Sequence, residues 1–529
     1  MTGTARALAR AGLVVTAAYL LSRVLGWLRL VVISSLFGAN ADLDAYFAAF
    51  RIPDAIFQLV AAGALSSALI PVLAGLHAAE EEERAWRVVA TVVNLMLLAL
   101  LALSVVVALA APVLIPLVTP GFDAVETELT VRLSRVMLLS PILLALGAVA
   151  TSVLNARGRF AASAVAPLLY NVVIILAAVL LAPILGVDGL AIGVVLGSLV
   201  HLAVQLPAIV RLPRFGYDFA VDLRDPAARQ ALLLMAPRAI GLGVMQITFL
   251  VNTTLASGLG TGSIVAYNIA FTVMQIPLGV IGVPLGVVLL PSMSRSLAVG
   301  DLRGFGQLVV RSLRLLLYVM LFLTAMTMVL RRQLVTLLFD YGNFDQRAID
   351  LTANTLLFFT LGLAAHAMIV VLARAFYAGQ DTRTPVMAAI LAVAVNVVVS
   401  LLTAGSLGLS GLALGIASGA WVEAAVLLVL LWRRAATLPI AGLVRAGVEF
   451  VVGAVLAGAT AFGVVGVTGA LFGTHDPSKL LVLVQATLAF LAATAVYVAY
   501  SLVVRIPEFR QTLVILGSAL RRARAAERP

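Results

Sequence analysis

Long apolar segments, separated by short polar stretches, repeat along the chain from one end to the other. Most have twenty or more residues, the length that a helix needs to cross a hydrocarbon core about 30 Å thick. A closed β-barrel is the other structure that satisfies its backbone in lipid, but its strands are short and alternate. Residues 88–111 show no such alternation. The pattern therefore predicts an all-α integral membrane protein.

We count about fourteen transmembrane helices joined by short connections. The predicted spans are 12–36, 43–75, 86–115, 130–155, 162–184, 187–210, 228–258, 263–293, 307–330, 350–378, 384–404, 408–432, 444–470 and 479–504. They divide into an N-terminal lobe of helices one to six (1–220), a C-terminal lobe of helices seven to twelve (221–435), two further helices (436–504) and a basic cytoplasmic tail (505–529).

A weak internal repeat supports the division into lobes. The pattern A-Y-x-x-A-F begins at Ala45 and again at Ala266, and the segment around Arg23 has a fainter echo around Arg238. An even number of helices separates the copies, so both have the same orientation. Parallel halves of this kind form two pseudo-symmetric six-helix lobes around a central cavity. Chance similarity between helices rich in alanine and glycine is the alternative.

Arginines predict the orientation, because basic residues concentrate in cytoplasmic loops. The even-numbered connections carry most of them, whereas the odd-numbered connections are mostly acidic or neutral. The exception is the loop after the ninth helix, with Arg331 and Arg332. Both termini are therefore predicted to lie in the cytoplasm. The first helix lacks an Ala-x-Ala cleavage pattern, so we interpret it as a retained helix and not a signal peptide.

Composition argues against several other classes of protein. With 63% hydrophobic and 11% charged residues, the 529-residue chain has too little charge to cover the surface of a soluble protein. Loop arginines account for the net charge of +11, and no segment outside the membrane is large enough for a nucleic-acid domain. The lack of cysteine excludes disulfides and thiolate metal sites, and four histidines argue against a histidine-rich metal or proton-relay site.

Motifs of the common enzyme classes are missing from the sequence. It has no phosphate-binding loop of the G-x-x-x-x-G-K-[ST] type, no clustered aspartate motif for magnesium–diphosphate chemistry and no Gly-x-Ser-x-Gly elbow. We therefore expect a protein without enzymatic activity or a cofactor. Energy would come from an ion gradient, the membrane potential, the substrate gradient or a partner.

Ionisable groups inside apolar helices are the strongest candidates for function, because each costs roughly 2.5–3.5 kcal/mol at a helix centre. Arg23 and Arg29 lie in the first helix, and Asp44 and Arg51 lie seven residues apart on one face of the second. Guanidinium groups lining a wet cavity would hold the phosphate oxygens of a lipid headgroup in bidentate fashion. The alternatives are a structural pair of Arg51 with Asp44 or Asp54, or arginine side chains that extend to the membrane surface.

Other polar residues give weaker indications of function. Gln246 and Asn252 in the seventh helix are candidate substrate contacts, with hydrogen bonding between helices as the alternative. Glu423 in the twelfth helix is a candidate proton or cation site, or a packed acid. In the connection after the tenth helix, Asp381 or Arg383 would cap a helix end. A gating or ion-binding role for Asp381 is the alternative, and Arg374 is a further candidate for such a role.

Two basic features are assigned to the membrane surface. Arg314, near the start of the ninth helix, is expected to extend its side chain to the interface. Residues 505–529 place leucines beside arginines and would lie on the anionic inner leaflet as an amphipathic helix. A disordered basic tail is the alternative.

A series of short motifs runs through the first helices. They are Ser22-Arg23-Val24-Leu25-Gly26, Arg29, Phe37-Gly38-Ala39, Asp44-Ala45-Tyr46-Phe47, Phe50-Arg51-Ile52-Pro53 and Gly63-Ala64-Leu65-Ser66. Shorter matches, such as Asn155-x-x-Gly158-Arg159-Phe160 and Gln380-Asp381, follow in collinear order over nearly the whole chain. Together these segments resemble the MurJ/MviN family, the lipid II flippases of bacterial cell-wall synthesis.

The resemblance implies fourteen helices in two six-helix lobes plus two, within a superfamily shared with drug exporters and polysaccharide flippases. It also implies alternating access that carries lipid II, the undecaprenyl-diphosphate-linked peptidoglycan precursor. Arg23, Arg29 and Asp44 match cavity residues of the family, and Arg51 matches a basic position. The motif residues taken as substrate contacts are Ser22, Arg23, Gly26, Arg29, Asp44 and Arg51.

The chain departs from the family pattern at several charged positions. The positions that lose a family charge are Leu30, Phe57, Gln58, Ala62, Phe271 and Thr272. Arg238, at the start of the seventh helix, is a candidate substitute for the lost second-lobe arginine and a further candidate substrate contact. These departures bear on the substrate more than on the fold.

The leading hypothesis is a transporter that moves lipid II from the inner to the outer leaflet of the bacterial cytoplasmic membrane. Arg23, Arg29 and Arg51 would hold the diphosphate, and Asp44 would orient an arginine or sense protons. Expected partners are lipid II, membrane lipids and cell-wall synthesis enzymes, and no nucleic acid. One alternative is a related exporter of another undecaprenyl-diphosphate-linked oligosaccharide or an amphiphilic drug. Another is a non-transporting membrane scaffold for cell-wall enzymes.

Overall fold

The structure is a computed structural model that describes residues 3–60, 64–219, 221–434, 440–472 and 478–513. Nearly all of these residues are helical, and this part of the chain contains no β-strand. The prediction of an all-α fold is therefore confirmed.

Twenty α-helices and one short π-helix follow one another in the described chain. They are α1 (Gly3–Phe37), α2 (Ala41–Val60), α3 (Ala64–Ala78), α4 (Glu82–Val118), α5 (Ala124–Met137), α6 (Leu139–Ala156), α7 (Phe160–Leu180), α8 (Ala182–Leu185), α9 (Val187–Ala203), α10 (Leu206–Val210), α11 (Pro226–Ser257), α12 (Ser263–Pro277), the π-helix (Leu278–Gly282), α13 (Val283–Ala298), α14 (Leu302–Phe339), α15 (Gln346–Thr360), α16 (Leu363–Ala378), α17 (Arg383–Leu407), α18 (Leu409–Arg434), α19 (Ile440–Phe472) and α20 (Lys479–Val503).

Several predicted spans are helical but broken. The span predicted at 263–293 changes into the π-helix directly after Pro277. Pro284, at the start of α13, accounts for the change, because proline has no amide hydrogen and disturbs the turn before it. The span predicted at 350–378 consists of α15 and α16, which meet at 45°. Gly362 lies at this break, where a Cβ would come within 2.8 Å of the Cα of Ala417. Glycine thus allows the close approach of α18.

Eleven helices in the described ranges are long and apolar enough to cross a membrane, and the bent pair α15 and α16 would make a twelfth. Two predicted spans remain. One is 43–75, which consists of α2 and α3, and the other is 228–258, which corresponds to α11. These spans hold five of the nine predicted substrate contacts, and α2 alone carries four charged side chains. The predicted number of fourteen is compatible with the structure but is not confirmed by this count.

The first of two compact units comprises Met1–Val265 and Tyr341–Asp345. Within it α1 packs against α7, α2 packs against α5, and α11 packs against α2, α3 and α4. The segment Tyr341–Asp345 contacts this unit through the Asn343 amide, which donates to the Ser35 carbonyl oxygen at 2.8 Å. The packing therefore places α11, the seventh predicted span, in the same unit as the first six. The boundaries of the two lobes stay a prediction.

The second unit comprises Ala266–Asp340 and Gln346–Pro529. Within it α17 packs closely on α18, where a Cβ on Gly419 would come within 2.6 Å of the Ala392 carbonyl oxygen. Small residues at helix contacts are typical of membrane proteins, because they allow backbones to approach without side chains between them.

Aromatic side chains join α14, α19 and α20 in the second unit. The Tyr318 ring lies 5.4 Å from that of Phe450 and 4.9 Å from that of Tyr497, measured between ring centroids. The Tyr497 hydroxyl donates to the Tyr318 carbonyl oxygen at 2.7 Å. Buried tyrosines thus retain hydrogen-bond partners inside an apolar helix group, as they must to offset the loss of water.

Arg314 of α14 forms an ion pair with Glu508, a buried residue that is 2% exposed. The Nε–Oε1 distance is 2.6 Å, and Nη2 donates to Oε2 at 3.2 Å. Glu508 belongs to a helical stretch, residues 507–513. A carboxylate from the C-terminal segment thus meets Arg314, and the extension of its side chain to the membrane surface stays a prediction. Residues 514–529, with the tail arginines, lie outside the described residues.

Replacing Glu508 with alanine should lower the free energy of unfolding by about 2–4 kcal/mol, because it leaves a mostly buried guanidinium without its carboxylate. The apparent melting temperature of the purified protein in detergent measures this loss. Arg445→Ala is the matched control, since Arg445 is exposed and its pair with Glu449 joins neighbouring turns of one helix. Equal melting temperatures for the two variants would contradict the prediction.

Candidate functional site

The predicted substrate contacts lie on three helices, and all belong to the first unit. On α1, residues Ser22, Gly26 and Arg29 share one helix face, because they are spaced four and three residues apart. This face meets α7, and a Cβ on Gly26 would lie 3.8 Å from Oδ1 of Asn171. Arg29 is therefore held at a helix contact.

Arg29 is half-buried and packs against an aromatic ring. Its guanidinium carbon lies 5.8 Å from the ring centroid of Tyr170 on α7. No carboxylate lies within the 4.0 Å of an ion pair to Arg29 in the described part of the first unit. The Arg29 charge is therefore kept without direct neutralisation.

Arg51 has a similar environment on α2. Its guanidinium carbon lies 5.1 Å from the ring centroid of Phe249, and its Nε donates to Oγ1 of Thr253 at 3.1 Å. Both partners lie on α11, four residues apart. Phe249 and Thr253 share their helix face with the predicted contact Gln246, three residues before Phe249.

Arg23 is separate from this pair. It is exposed, its Nη2 donates to the Tyr19 hydroxyl at 2.8 Å, and it lies 5.2 Å from the Tyr19 ring centroid. Six residues separate it from Arg29, which places the two on different faces of α1. The structure thus places Arg29 on Tyr170 and Arg51 on Phe249 and Thr253, and it leaves Arg23 on another face of α1.

Asp54 lies one turn after Arg51 on α2. The side-chain amide of Gln58 donates to its Oδ1 at 3.5 Å. The spacing of three residues from Arg51, followed by four to Gln58, places the three side chains on one face of the helix. The pairing of Arg51 with Asp54 stays a prediction.

Asp44 binds backbone amides instead of an arginine. Its Oδ2 accepts from the Gly262 amide at 2.6 Å, its Oδ1 accepts from the Val265 amide at 2.8 Å, and the residue is 2% exposed. These amides lie at the start of α12, where a carboxylate satisfies donors that have no partner within the helix. The expected contact between Asp44 and an arginine is absent among the described residues, and proton sensing stays a prediction.

A glycine makes this contact possible. Gly262 has a φ of +87°, a conformation that other residues rarely adopt. A Cβ at this position would lie 2.6 Å from the Ala39 carbonyl oxygen. The turn before α12 therefore needs glycine both for its backbone conformation and for its close approach to the loop between α1 and α2.

Asn252 and Arg238 are the remaining predicted substrate contacts on α11. Asn252 is fully buried, and its Nδ2 donates to the Thr248 carbonyl oxygen at 2.9 Å. Its Oδ1 has no hydrogen-bond partner among the described residues. The neighbouring Thr253 is the residue that contacts Arg51. Arg238 lies in α11, but its side chain lies outside what the structure describes.

Sequence reasoning missed the aromatic partners of the arginines. Tyr170 and Phe249 are ordinary members of apolar helices when each helix is considered alone. The available signal on α11 was the spacing of Gln246, Phe249 and Thr253 on one face. No such signal connects Tyr170 with Arg29, because their contact depends on how α7 packs against α1.

The candidates for gating or ion binding lie in the second unit. Asp381 accepts from the amides of Arg383 and Thr384, both at 3.0 Å, and pairs with Arg434. Burial opposes ionisation of this carboxyl, but the Thr384 hydrogen bonds and the Arg434 charge outweigh it and hold the pKa of Asp381 below its usual range. The prediction that Asp381 caps a helix is confirmed, and its gating role stays a prediction.

Arg374 and Glu423 have fewer contacts. Arg374 donates to the Val370 carbonyl oxygen at 3.3 Å and lies beside Gly286 of α13. Glu423 is half-buried in α18. No hydrogen bond or ion pair joins Asp381, Arg374 and Glu423 in the described part of the second unit. Their proposed ion-binding or gating roles stay predictions.

The family model and the two similar proteins named next all belong to one family. A family model described as lipid II flippase MurJ matches residues 33–483. Lipid II flippase MurJ of Burkholderia cenocepacia is 34% identical over 457 residues, which cover 85% of this chain and 89% of that protein. The probable lipid II flippase MurJ of Vibrio cholerae is 32% identical over 485 residues, which cover 89% of each chain.

Solved structures share the fold. A structure described as lipid II flippase MurJ in an inward closed conformation has a TM-score of 0.78 at 22% identity and covers 95% of this chain and 100% of that chain. An inward-facing multidrug resistance MATE family transporter of the MOP superfamily has a TM-score of 0.68 at 17% identity, covering 79% of this chain and 95% of its own.

Replacing Asp44 with alanine should remove both acceptors of the α12 amides and lower the free energy of unfolding by about 1–2 kcal/mol. Asp44→Asn keeps one carbonyl oxygen and should fall between the alanine variant and the unaltered protein. Melting temperatures in detergent rank the variants. Asp42→Ala, which removes an exposed acid from the same helix, is the control. The cap would be refuted if Asp44→Ala melted at the same temperature as Asp42→Ala.

Proposed function

The chain belongs to the lipid II flippase MurJ family, and we infer that it moves lipid II from the inner to the outer leaflet of the bacterial cytoplasmic membrane by alternating access. It is a transporter and not an enzyme. As a multi-pass protein of the bacterial inner membrane, it meets its substrate within the bilayer.

The environment of Arg29 carries this proposal. Its guanidinium faces the ring of Tyr170, and no carboxylate of the described first unit pairs with it. A ring attracts the cation but carries no net charge, so the guanidinium keeps its positive charge for an anion. Its N–H donors fit two phosphate oxygens at once, which an ammonium group cannot match. A diphosphate-linked lipid is the substrate that this arrangement suits.

Arg51 supports the same substrate from α2. Phe249 and Thr253 fix its orientation through the ring and one hydrogen bond from Nε. Arg29 on α1 and Arg51 on α2 both carry a permanent positive charge, which favours an anionic headgroup. Arg23, exposed on another face of α1, would meet the headgroup at a different stage of transport.

Several finer features belong to the proposal. Both termini would lie in the cytoplasm, in agreement with the arginine distribution. Transport would use an ion gradient or the membrane potential and no cofactor. Lipid II and the surrounding membrane lipids are the molecular partners, and cell-wall synthesis enzymes would receive the product.

Arg29→Ala should abolish growth of a flippase-depleted bacterium that depends on this chain, because the diphosphate loses its bidentate donor. Arg29→Lys keeps the charge without the planar fork and should restore growth only in part. Colony counts after depletion measure both, and immunoblots of the membrane fraction establish equal insertion. Arg445→Ala is the control for loss of an exposed arginine. Full growth with Arg29→Ala would refute the assignment.

Tyr170→Leu should weaken lipid II flipping in proteoliposomes roughly threefold to tenfold, because it removes the ring that holds Arg29. Tyr170→Phe keeps the ring and should retain most of the rate. The flipping rate, measured at several lipid II concentrations, separates weaker binding from slower turnover. Equal losses in the leucine and phenylalanine variants would show that the ring does not act through the cation.

A further inference from the structure

The loop between α10 and α11, described at residues 211–219 and 221–225, exposes large apolar side chains at every second position. Each of them is between 42% and 85% exposed: Phe215, Tyr217, Phe219, Val221 and Leu223. Such a row of exposed apolar groups marks a surface that another apolar phase covers. The α10–α11 loop lies wholly within the first unit, and its position relative to α4 indicates what that phase is.

The first half of the α10–α11 loop descends along α4. Nε1 of Trp86 donates to the Pro213 carbonyl oxygen at 3.2 Å. Five residues later, Nδ2 of Asn94 donates to the Asp218 carbonyl oxygen at 2.9 Å, and the Tyr217 hydroxyl donates to Oδ1 of the same asparagine. Asn94 lies about 12 Å beyond Trp86 along the helix axis. The loop therefore moves toward the middle of α4 as it leaves α10.

The second half returns to the start of α4. The Asp222 amide donates to Oγ1 of Thr91 at 3.1 Å. Asp225 then accepts from Nε of Arg84 at 2.7 Å, and it also caps α11. These contacts make residues 217–219 the tip of the loop, because Thr91 and Arg84 both precede the asparagine that holds the tip.

The composition of α4 places this tip relative to the bilayer. With 37 residues the helix is about 55 Å long, whereas the hydrocarbon core is about 30 Å thick. All its charged residues lie in its first six positions, and residues 95–118 contain Ser104 as their one polar side chain. That apolar stretch spans about 36 Å. Asn94 therefore lies within about 6 Å of the edge of the core, in the headgroup region.

The side chains at the tip suit that depth. Phe219 is 85% exposed, and its ring centroid lies 5.2 Å from that of Tyr217 in an edge-on arrangement. Tyr217 binds Asn94 through its hydroxyl and leaves its ring exposed, and aromatic residues of this kind concentrate at membrane interfaces. Arg211 and Arg214, both exposed, come just before the tip, and their long side chains can extend to lipid phosphates.

We propose that the tip of the α10–α11 loop inserts into the headgroup region of the bilayer, where phospholipid covers Tyr217 and Phe219 and the phosphates bind Arg211 and Arg214. Since Asp225 joins this loop to both Arg84 and the start of α11, the inserted tip fixes the depth of that helix start in the membrane. The proposal concerns contact with the bilayer and does not depend on which lipid the protein transports.

A spin label measures the depth of the tip directly. The chain has no cysteine, so Phe219→Cys places a nitroxide label at one position of the full-length protein. In vesicles of phosphatidylethanolamine and phosphatidylglycerol, we expect oxygen, which dissolves in lipid, to collide with this label more often than a water-soluble nickel chelate does. Glu83→Cys is the matched control, because Glu83 is exposed and lies about 16 Å before Asn94 on α4. The two labels should differ in depth by about this distance.

Leu223→Cys gives a second label on the returning half of the loop. It follows the residue that binds Thr91, which lies about 4.5 Å before Asn94 along α4. Its label should therefore be shallower than the label at position 219 and deeper than the label at position 83. This order distinguishes a loop that enters the interface by its tip from one that lies flat on the membrane surface.

Two results would overturn the proposal. If the nickel chelate reaches the label at position 219 as readily as the label at position 83, the tip lies in water. If both reagents are excluded from position 219 in vesicles and in detergent, protein covers the tip, either a second copy of the chain or another segment of the same chain. Neither measurement uses lipid II, so failure of the anchor leaves the transport assignment intact.

Discussion

Arginine remains charged inside a membrane protein, so each one retained there needs a partner that stabilises the cation without cancelling it. In the first unit the rings of Tyr170 and Phe249 are such partners for Arg29 and Arg51. A ring carries no net charge, so the guanidinium keeps its positive charge for an anion. Packing fixes the ring in turn, because Gly197 of α9 brings that helix against the backbone and ring of Tyr170. The candidate site thus depends on close helix packing around two aromatic side chains.

The helix α2 combines two electrostatic tasks that the surrounding helices separate. At its start, Asp44 meets the amides before α12 and holds a glycine-containing turn in place. One turn beyond Arg51, Asp54 accepts from the side-chain amide of Gln58. Identical side chains therefore have different partners, because one lies beside backbone donors and the other beside an amide side chain of its own helix.

Much of the fold follows from local properties of the sequence. The length of the apolar segments identifies most helices, since a helix that crosses the bilayer needs about twenty such residues. Asp381 precedes a helix start with residues that favour capping, and the structure places it there. Breaks were harder to predict. Pro284 gives a reason for the π-helix that precedes it, but the 45° bend between α15 and α16 lies where Gly362 approaches Ala417, which is distant in the chain.

The sequence by itself determined which segments enter the membrane and which charges they carry there, because apolar length and ionisable residues are properties of each segment alone. Only the tertiary structure decided the partners of those charges. Arg314 pairs with Glu508 across 194 residues, and Asp44 reaches amides more than 200 residues away. Arg29 meets Tyr170 because α1 packs on α7. Such contacts depend on the arrangement of helices distant in the chain, which no local periodicity encodes.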